Sequence, residues 1–553
     1  MARTLNPSRR SLLAGAGLSA LALTLAACGA DSSGSSGSAE ASAGGRLGIL
    51  TSSTDINWDP AKSQSMPVTS LALVHRRLTT WALSEGSEVT VVPDLATDTG
   101  TVSEDGLSWT YTLKDGVLFE DGTAITSAHV KYGLERSFAP ALAGGLTYHK
   151  TLLAGTEGYA GPFDGAHLDS IETPDDKTIV FHLRQTYGDW PWIVAQPAFA
   201  PVPEDKDEVA TYARKPVASG PYRVQDYSTG ASTTLVRNER WSADTDEVRL
   251  ALPDTIVFEL GQDESTSVQR IIASAGDDAN AFCADRVASA QLAQISGNAD
   301  AAERLATPEE GGPLQYLAIN TERVTDVEVR RAIAQAVDKE AVVSALGGRL
   351  GAVAATTYIA PGIPGRVAYD SYPTDAAAAS AALVGKSVGT LILLAANDTA
   401  SQAVAEAVQQ SLSEAGLTVT IDPQEGEVYE ERVTQGDGST YDLAIGSWNA
   451  DFPSANAYIQ PLFSSSEIGG GGVNISRYSN AEVDAAIADA VATLDADAAG
   501  AKWAAIDQQI AADVPVVPLA NRRNSFLAGS GVTGFFVESY PAYPNYLVVG
   551  VGA

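Results

Sequence analysis

Leu314-Gln315-Tyr316-Leu317-Ala318-Ile319, followed by a segment over 326–346 in which Val329, Ala332, Ile333, Ala336 and Val337 recur at helical spacing, sets a strand directly before a helix. The first run is too short for an ordinary helix and reads as a buried strand. The second places its apolar residues on one face, carries acids in its first turn and stops at Gly347-Gly348, which predicts one helix from about 326 to 346.

The same order recurs on both sides. Residues 391–395, 403–415 and 417–421 read as strand, helix and strand. Upstream, Leu107, Trp109, Tyr111 and Leu113 alternate with Ser108, Thr110 and Thr112, the period of a half-buried strand. Lys114-Asp115-Gly116 then predicts a turn, Val117-Leu118-Phe119 a returning strand and Glu120-Asp121-Gly122 a second turn. Thr126 or Ser127 caps a helix bearing Val130 and Leu134. Strands alternating with helices define an α/β protein.

Size and composition bound the rest. The chain has 553 residues, more than one hydrophobic core usually supports, so two or three domains are expected. It has two cysteines, Cys28 and Cys283, and with Cys28 assigned to lipid below, stability rests on core burial rather than on a disulfide. Cys283, between Phe282 and Ala284, reads as a small buried hydrophobe. A net charge of −33 argues against a nucleic-acid partner and suits solubility outside the cell.

The N-terminus sets the compartment. Ser8-Arg9-Arg10-Ser11-Leu12-Leu13 places paired arginines before an apolar run over 12–27, which reads as a twin-arginine signal peptide spanning 1–27. The run is shorter than the roughly 20 residues needed to span a bilayer. Leu25-Ala26-Ala27-Cys28 resembles a bacterial lipobox, which implies cleavage before Cys28 and lipidation of its thiol. Residues 28–45 then form a Ser/Gly/Ala tether that can bury no apolar surface. The expected place is the outer face of the cytoplasmic membrane, lipid-anchored.

At Tyr316-Leu317-Ala318-Ile319-Asn320-Thr321, Val329-Arg330-Arg331-Ala332-Ile333 and Val337-Asp338-Lys339 the chain resembles the family 5 extracellular solute-binding proteins, the dipeptide- and oligopeptide-binding proteins of bacterial importers. Asn57-Trp58-Asp59-Pro60, the stretch 109–130, Ser219-Gly220-Pro221-Tyr222, Asn474-Ile475-Ser476-Arg477-Tyr478, Asp484 and Val514-Pro515-Val516-Val517-Pro518-Leu519 match further blocks in order. The resemblance implies a two-lobed periplasmic-binding-protein-like (type II) fold with an extra subdomain inserted in lobe I. By block order, lobe I comprises 46–80, 216–312 and 521–553, the insertion 81–215 and lobe II 313–520. Arg330 and Arg331 are expected at helix-surface or lobe-packing contacts, and Asp338 and Lys339 on a solvated face.

The resemblance also implies a function. The chain would capture a peptide between its lobes and deliver it, as a monomer, to an ABC permease driven by ATPase subunits. Trp448-Asn449-Ala450-Asp451-Phe452-Pro453 matches the segment in which peptide-binding members carry a tryptophan and an aspartate. By that match Asp451 takes the peptide's ammonium, Trp448 walls the cleft and Asn449 adjoins them. Pro453-Ser454-Ala455-Asn456 departs from the usual acidic continuation, which leaves a metal chelate, an oligosaccharide or an antibiotic-like compound as other ligands. No Arg or Lys is placed for a peptide carboxylate, and Arg366 after Pro361-Gly362-Ile363-Pro364-Gly365 is a weak candidate. A secreted hydrolase is the alternative from another class, but H-E-x-x-H, G-x-S-x-G and P-loop motifs are missing, and His75, His129, His149, His167 and His182 show no metal-ligand spacing. No cofactor, metal or catalytic residue is expected.

Overall fold

A computed structural model describes residues 43–552. The signal segment, Cys28 and nearly all of the tether lie outside these residues. Among the described residues, no helix is long and apolar enough to cross a membrane.

The strand Leu314–Ile319 is buried at all six positions. It lies inside a six-stranded sheet ordered Ala352–Ala354, Val516–Arg522, Leu314–Ile319, Leu443–Trp448, Leu391–Ala396 and Val419–Gln424. Its neighbours on both edges run antiparallel to it, with Leu314 opposite both Trp448 and Asn521. The last three strands of that order are mutually parallel. A run without polar alternation is what a strand covered on both faces requires.

A second sheet carries the first lobe. Its order is Ala281–Cys283, Arg46–Leu50, Thr255–Glu259, Ser232–Arg237 and Tyr222–Ser228, parallel over the first three strands and antiparallel thereafter. Cys283 is buried in it. Between Arg46–Leu50 and Tyr222–Ser228 the chain builds a separate four-stranded antiparallel sheet, ordered Thr101–Val102, Ser108–Thr112, Thr178–His182 and Ile171–Glu172. Trp109 and Tyr111 face inward there, opposite Phe181 and Ile179.

Three local expectations are corrected. Val117-Leu118-Phe119 does not return along Ser108–Thr112. Instead it folds on itself, with the Phe119 N–H donating to Thr123 O at 2.9 Å and Ile125 N–H to Val117 O at 3.0 Å. The partner of Ser108–Thr112 comes from about 70 residues away, because Thr178–His182 has the same alternation over a matching five residues and sets Ile179 and Phe181 opposite Tyr111 and Trp109. The helix expected over 326–346 is two helices, Val327–Ala336 and Lys339–Ala345. Asp338 breaks it by capping the second, accepting from the N–H of Glu340 and Ala341. Lys339 is consequently buried beside Asp370 rather than on a solvated face. Arg330 is buried as well and holds the carbonyls of Asp513, Val324 and Thr325.

The chain passes between the two large sheets at Gly311-Gly312-Pro313 and again after Arg522. These crossings pair: Gly312 N–H donates to Arg522 O at 2.9 Å, and Arg522 N–H to Pro313 O at 2.9 Å. A buried charge cluster fixes the root of the insertion to the first lobe. Arg76 Nε lies 2.6 Å from Asp94, Arg249 Nη2 2.9 Å from Asp94, and Arg249 Nη1 3.0 Å from Asp246, with every side chain at most 2% exposed. Burial would raise the Asp94 pKa, but Arg249 and then Arg76 overcome it and hold the carboxyl at about 2. Asp94→Asn should cost about 3–5 kcal/mol in urea denaturation at pH 7, because it leaves buried guanidinium charge uncompensated. Since the folded pKa is depressed, this contribution is complete above the unfolded value of about 3.9 and is lost as pH falls toward 2, so the wild-type advantage should shrink over that window.

Candidate ligand cleft

The strand Leu443–Trp448 aims its C-terminal end at the space between the lobes. Gly446 allows this, because a Cβ there would sit 2.2 Å from the Tyr316 ring that crosses it. Past the strand, Trp448 Nε1 donates to Ala457 O at 2.7 Å, and Tyr540 OH donates to Ala450 O at 3.0 Å. Phe452 is buried, edge-on to the Tyr148 ring with centroids 5.4 Å apart. Asp451 is thus held on a short, braced segment.

Asp451 opens into a chamber of about 650 Å³ lined from one side by Tyr148, Thr151 and Tyr187 of the insertion and from the other by Trp448, Asn449 and Glu467. Tyr148 OH donates to Asp451 Oδ2 at 2.8 Å, the one hydrogen bond its carboxylate receives among the described residues. Burial raises the Asp451 pKa, and the Tyr148 bond offsets part of that rise. Burial raises Glu467 too. No Lys or Arg lines the chamber among the described residues. Asn449 Oδ1 is buried without a hydrogen-bond partner, while its amide reaches Pro541 O at 3.4 Å. Among the described residues the chamber therefore presents anionic and acceptor oxygens and no cation.

A second chamber of about 480 Å³ shares Trp448 and Val473 with the first. It is lined by Arg286 of the first lobe, by Arg522 at the crossing, and by Asp398, Ser401, Glu430 and Gln315 of the second lobe. Burial, followed by the neighbouring Arg286 charge, lowers the Arg522 pKa to about 10, and Asp398 partly restores it.

The insertion closes against the second lobe. Asp189 accepts from Ser454 Oγ at 2.9 Å and from Asn456 Nδ2 at 3.0 Å, and Asn456 Nδ2 also reaches Tyr187 OH at 3.1 Å. Gly188 N–H donates to Val491 O at 2.9 Å, an approach open only to glycine, since a Cβ would lie 2.2 Å from Thr493 O.

Trp448, Asn449 and Asp451, adjacent in sequence, come together in the first chamber. Arg366 does not join them; its Nε reaches Thr357 Oγ1 at 3.3 Å and it lines neither chamber. Tyr148, Arg286 and Arg522 were not foreseen. Each stands on a different part of the chain, and no local spacing connects it to Asp451.

Comparison with known proteins gives a consistent result. The family described as bacterial extracellular solute-binding proteins, family 5 middle, matches residues 90–470. The chain is 27% identical over 412 residues to a probable D,D-dipeptide-binding periplasmic protein of Escherichia coli K12, covering 71% of this chain and 72% of that protein. It is 26% identical over 456 residues to a glutathione-binding protein of Salmonella paratyphi A, covering 79% and 82%. Among solved structures, the clavulanic acid biosynthesis oligopeptide binding protein 2 superposes with a TM-score of 0.84 at 29% identity, over 93% of this chain and 96% of that one. The two large sheets, the inserted sheet and these likenesses establish the two-lobed type II fold.

Tyr148→Phe should raise the Asp451 pKa further, because it removes the hydrogen bond that stabilises the carboxylate. Carboxyl-carbon NMR titration of the unliganded protein reads this directly; an unchanged or lower pKa would contradict the assigned contact.

Proposed function

Because the chain belongs to the bacterial extracellular solute-binding proteins of family 5, and so is a binding protein rather than an enzyme, we propose that it captures a peptide with a free N-terminus between its lobes and hands it to an ABC permease. The observation that carries this reading is Asp451: a carboxylate drawn out of water, bonded to one phenol, in a chamber without a cation among the described residues. A desolvated anion of this kind is satisfied by a cation that also donates hydrogen bonds, and an α-ammonium does both. Asn449 Oδ1 offers an acceptor for a main-chain N–H. Both chambers have the size of small-molecule sites and lie where lobes meet, as such sites commonly do. Relatives named for dipeptide, glutathione and oligopeptide binding support the same class of ligand.

Closure around the peptide would be a hinge motion at the paired crossings, bringing Asp189 onto Ser454 and Asn456. The closed form is then what the permease and its ATPase subunits receive. Export through Arg9-Arg10 and lipidation at Cys28 complete the reading, keeping a monomeric receptor at the outer face of the membrane.

Asp451→Asn should weaken tetra-alanine binding by about 10- to 100-fold, the worth of a charge-assisted hydrogen bond, and leave N-acetyl-tetra-alanine unchanged. Titration calorimetry checks this, and an equal loss for both ligands would contradict it. The ammonium binds the ionised carboxylate, so wild-type affinity should fall by up to about tenfold per pH unit below the raised Asp451 pKa, while the acetylated ligand stays flat. Cys28→Ser should release the protein from membranes into the medium and abolish incorporation of labelled fatty acid; retention with label would refute the anchor.

A further inference from the structure

We infer that Arg522, assisted by Arg286, is the subsite for a carboxylate of the bound solute, so that the ligand runs from Asp451 around Trp448 into the second chamber. The inference deepens the peptide reading and rests on it for the ligand's other end.

Its first ground is an unused fork. The Arg522 side chain is half-buried and makes no hydrogen bond or ion pair among the described residues, although its backbone is fully engaged in the crossing. Other half-buried arginines are engaged. Arg270 holds Glu259 and Asp278, Arg432 holds Asp422, and Arg237 holds Asp254. A guanidinium carries donors in a planar fork, and leaving it partly desolvated and unpartnered is costly unless something arrives to use it.

Its second ground is repulsion. Arg286 is near enough to depress the Arg522 pKa, so the chamber holds two like charges at its first-lobe side. An anion between them relieves that repulsion and bonds to both. Asp398 attracts Arg522 but forms no ion pair with it among the described residues, and its Oδ1 is engaged by the N–H groups of Ala400 and Ser401 at 3.0 Å, capping the helix Thr399–Glu414. Glu430 is exposed and forms no ion pair among the described residues.

The chemistry of the lining selects the anion. Two guanidinium groups face two carboxylates, so the chamber is formally neutral and repels a polyanion from its second-lobe side. A monoanionic, planar carboxylate matches the fork bidentately and asks for no further charge. The first chamber holds the opposite chemistry, with carboxylates and no cation among the described residues. The two chambers share Trp448 and Val473, so a single zwitterionic ligand can occupy both. Arg522 also lies where the two crossings pair, and a carboxylate there bridges Arg286 of the first lobe to the hinge.

The test is calorimetry with tetra-alanine, its C-terminal amide and its N-acetyl form, on wild type, Arg522→Gln and Arg522→Lys. Wild type should bind the acid about 10- to 100-fold more tightly than the amide, from one charge-assisted contact. Arg522→Gln should lose most of the preference for acid over amide while still discriminating against N-acetylation, and Arg522→Lys should recover part of the preference. Melting temperatures should stay near wild type, since the side chain has no partner to lose. Equal wild-type binding of acid and amide, or a preference undiminished by Arg522→Gln, overturns the subsite. If acetylation then still weakens binding, the ammonium reading stands without it. The reverse pattern, acid preference with indifference to acetylation, keeps the subsite and removes Asp451 from ligand recognition. If tetra-alanine does not bind wild type, the peptide reading falls and the co-purifying solute decides the subsite. A carboxylate weakened about tenfold or more by Arg522→Gln supports it, and an uncharged or unaffected solute overturns it.

Discussion

The strand Leu314–Ile319 is buried on both faces and paired on both edges, and that pairing brings Trp448 and Arg522 to the cleft together. A one-residue slip would turn its apolar side chains from one covered face to the other and misalign both neighbours, so the register is strongly set. With Leu314 opposite Trp448 on one side and Asn521 on the other, the ends of Leu443–Trp448 and Val516–Arg522 emerge together at the start of the same strand. Trp448 and Arg522 therefore reach the cleft from residues 74 positions apart in sequence. Leu391–Ala396, parallel to Leu443–Trp448, delivers Asp398 to the same edge, the carboxyl end at which open α/β sheets commonly place ligands.

Charge is divided along this edge. The side near the insertion gathers Asp451 and Glu467 without a cation among the described residues, while the side near the hinge brings in Arg286 and Arg522. Both Asp451 and Arg522 are pushed toward their neutral forms by burial. A ligand bearing complementary charges stabilises the ionised forms of both, and its binding energy draws on desolvation already incurred by folding. Complementarity of this kind favours specificity and orientation more than raw affinity. The bonds of Asp189 to Ser454 and Asn456 lie on the neighbouring wall and tie the insertion to the second lobe beside the first chamber.

Much of the scaffold was legible in the sequence because it rests on local periodicity. The alternation at 107–113 and the apolar run at 314–319 both became strands, and Thr126 does begin a helix, its N–H donating to His129 Nδ1 at 3.0 Å. Local patterns failed where a distant partner or a side-chain cap decided the outcome. Val117-Leu118-Phe119 looked like a hairpin return until Thr178–His182 took the edge. The helical pattern through Val337 was continuous in apolar spacing, yet the Asp338 side chain captured two backbone N–H groups and restarted the helix. In the cleft, Trp448, Asn449 and Asp451 were found together because they are neighbours in the chain. Tyr148 was missed because its relation to Asp451 spans 303 residues and exists only once the insertion folds back. Arg522 was missed because an Asn-Arg-Arg-Asn run at 521–524 reads as exposed polar chain, and only the crossing at Gly312 turns it into the cleft.

The central claim is that this receptor holds a zwitterionic peptide, ammonium toward Asp451. Mass spectrometry of the small molecules released on denaturing the purified protein tests it most directly, since a closed cleft retains what it selects. The account predicts short peptides with free amino termini. A sugar, a metal chelate or an N-blocked compound recovered in stoichiometric amount would contradict it.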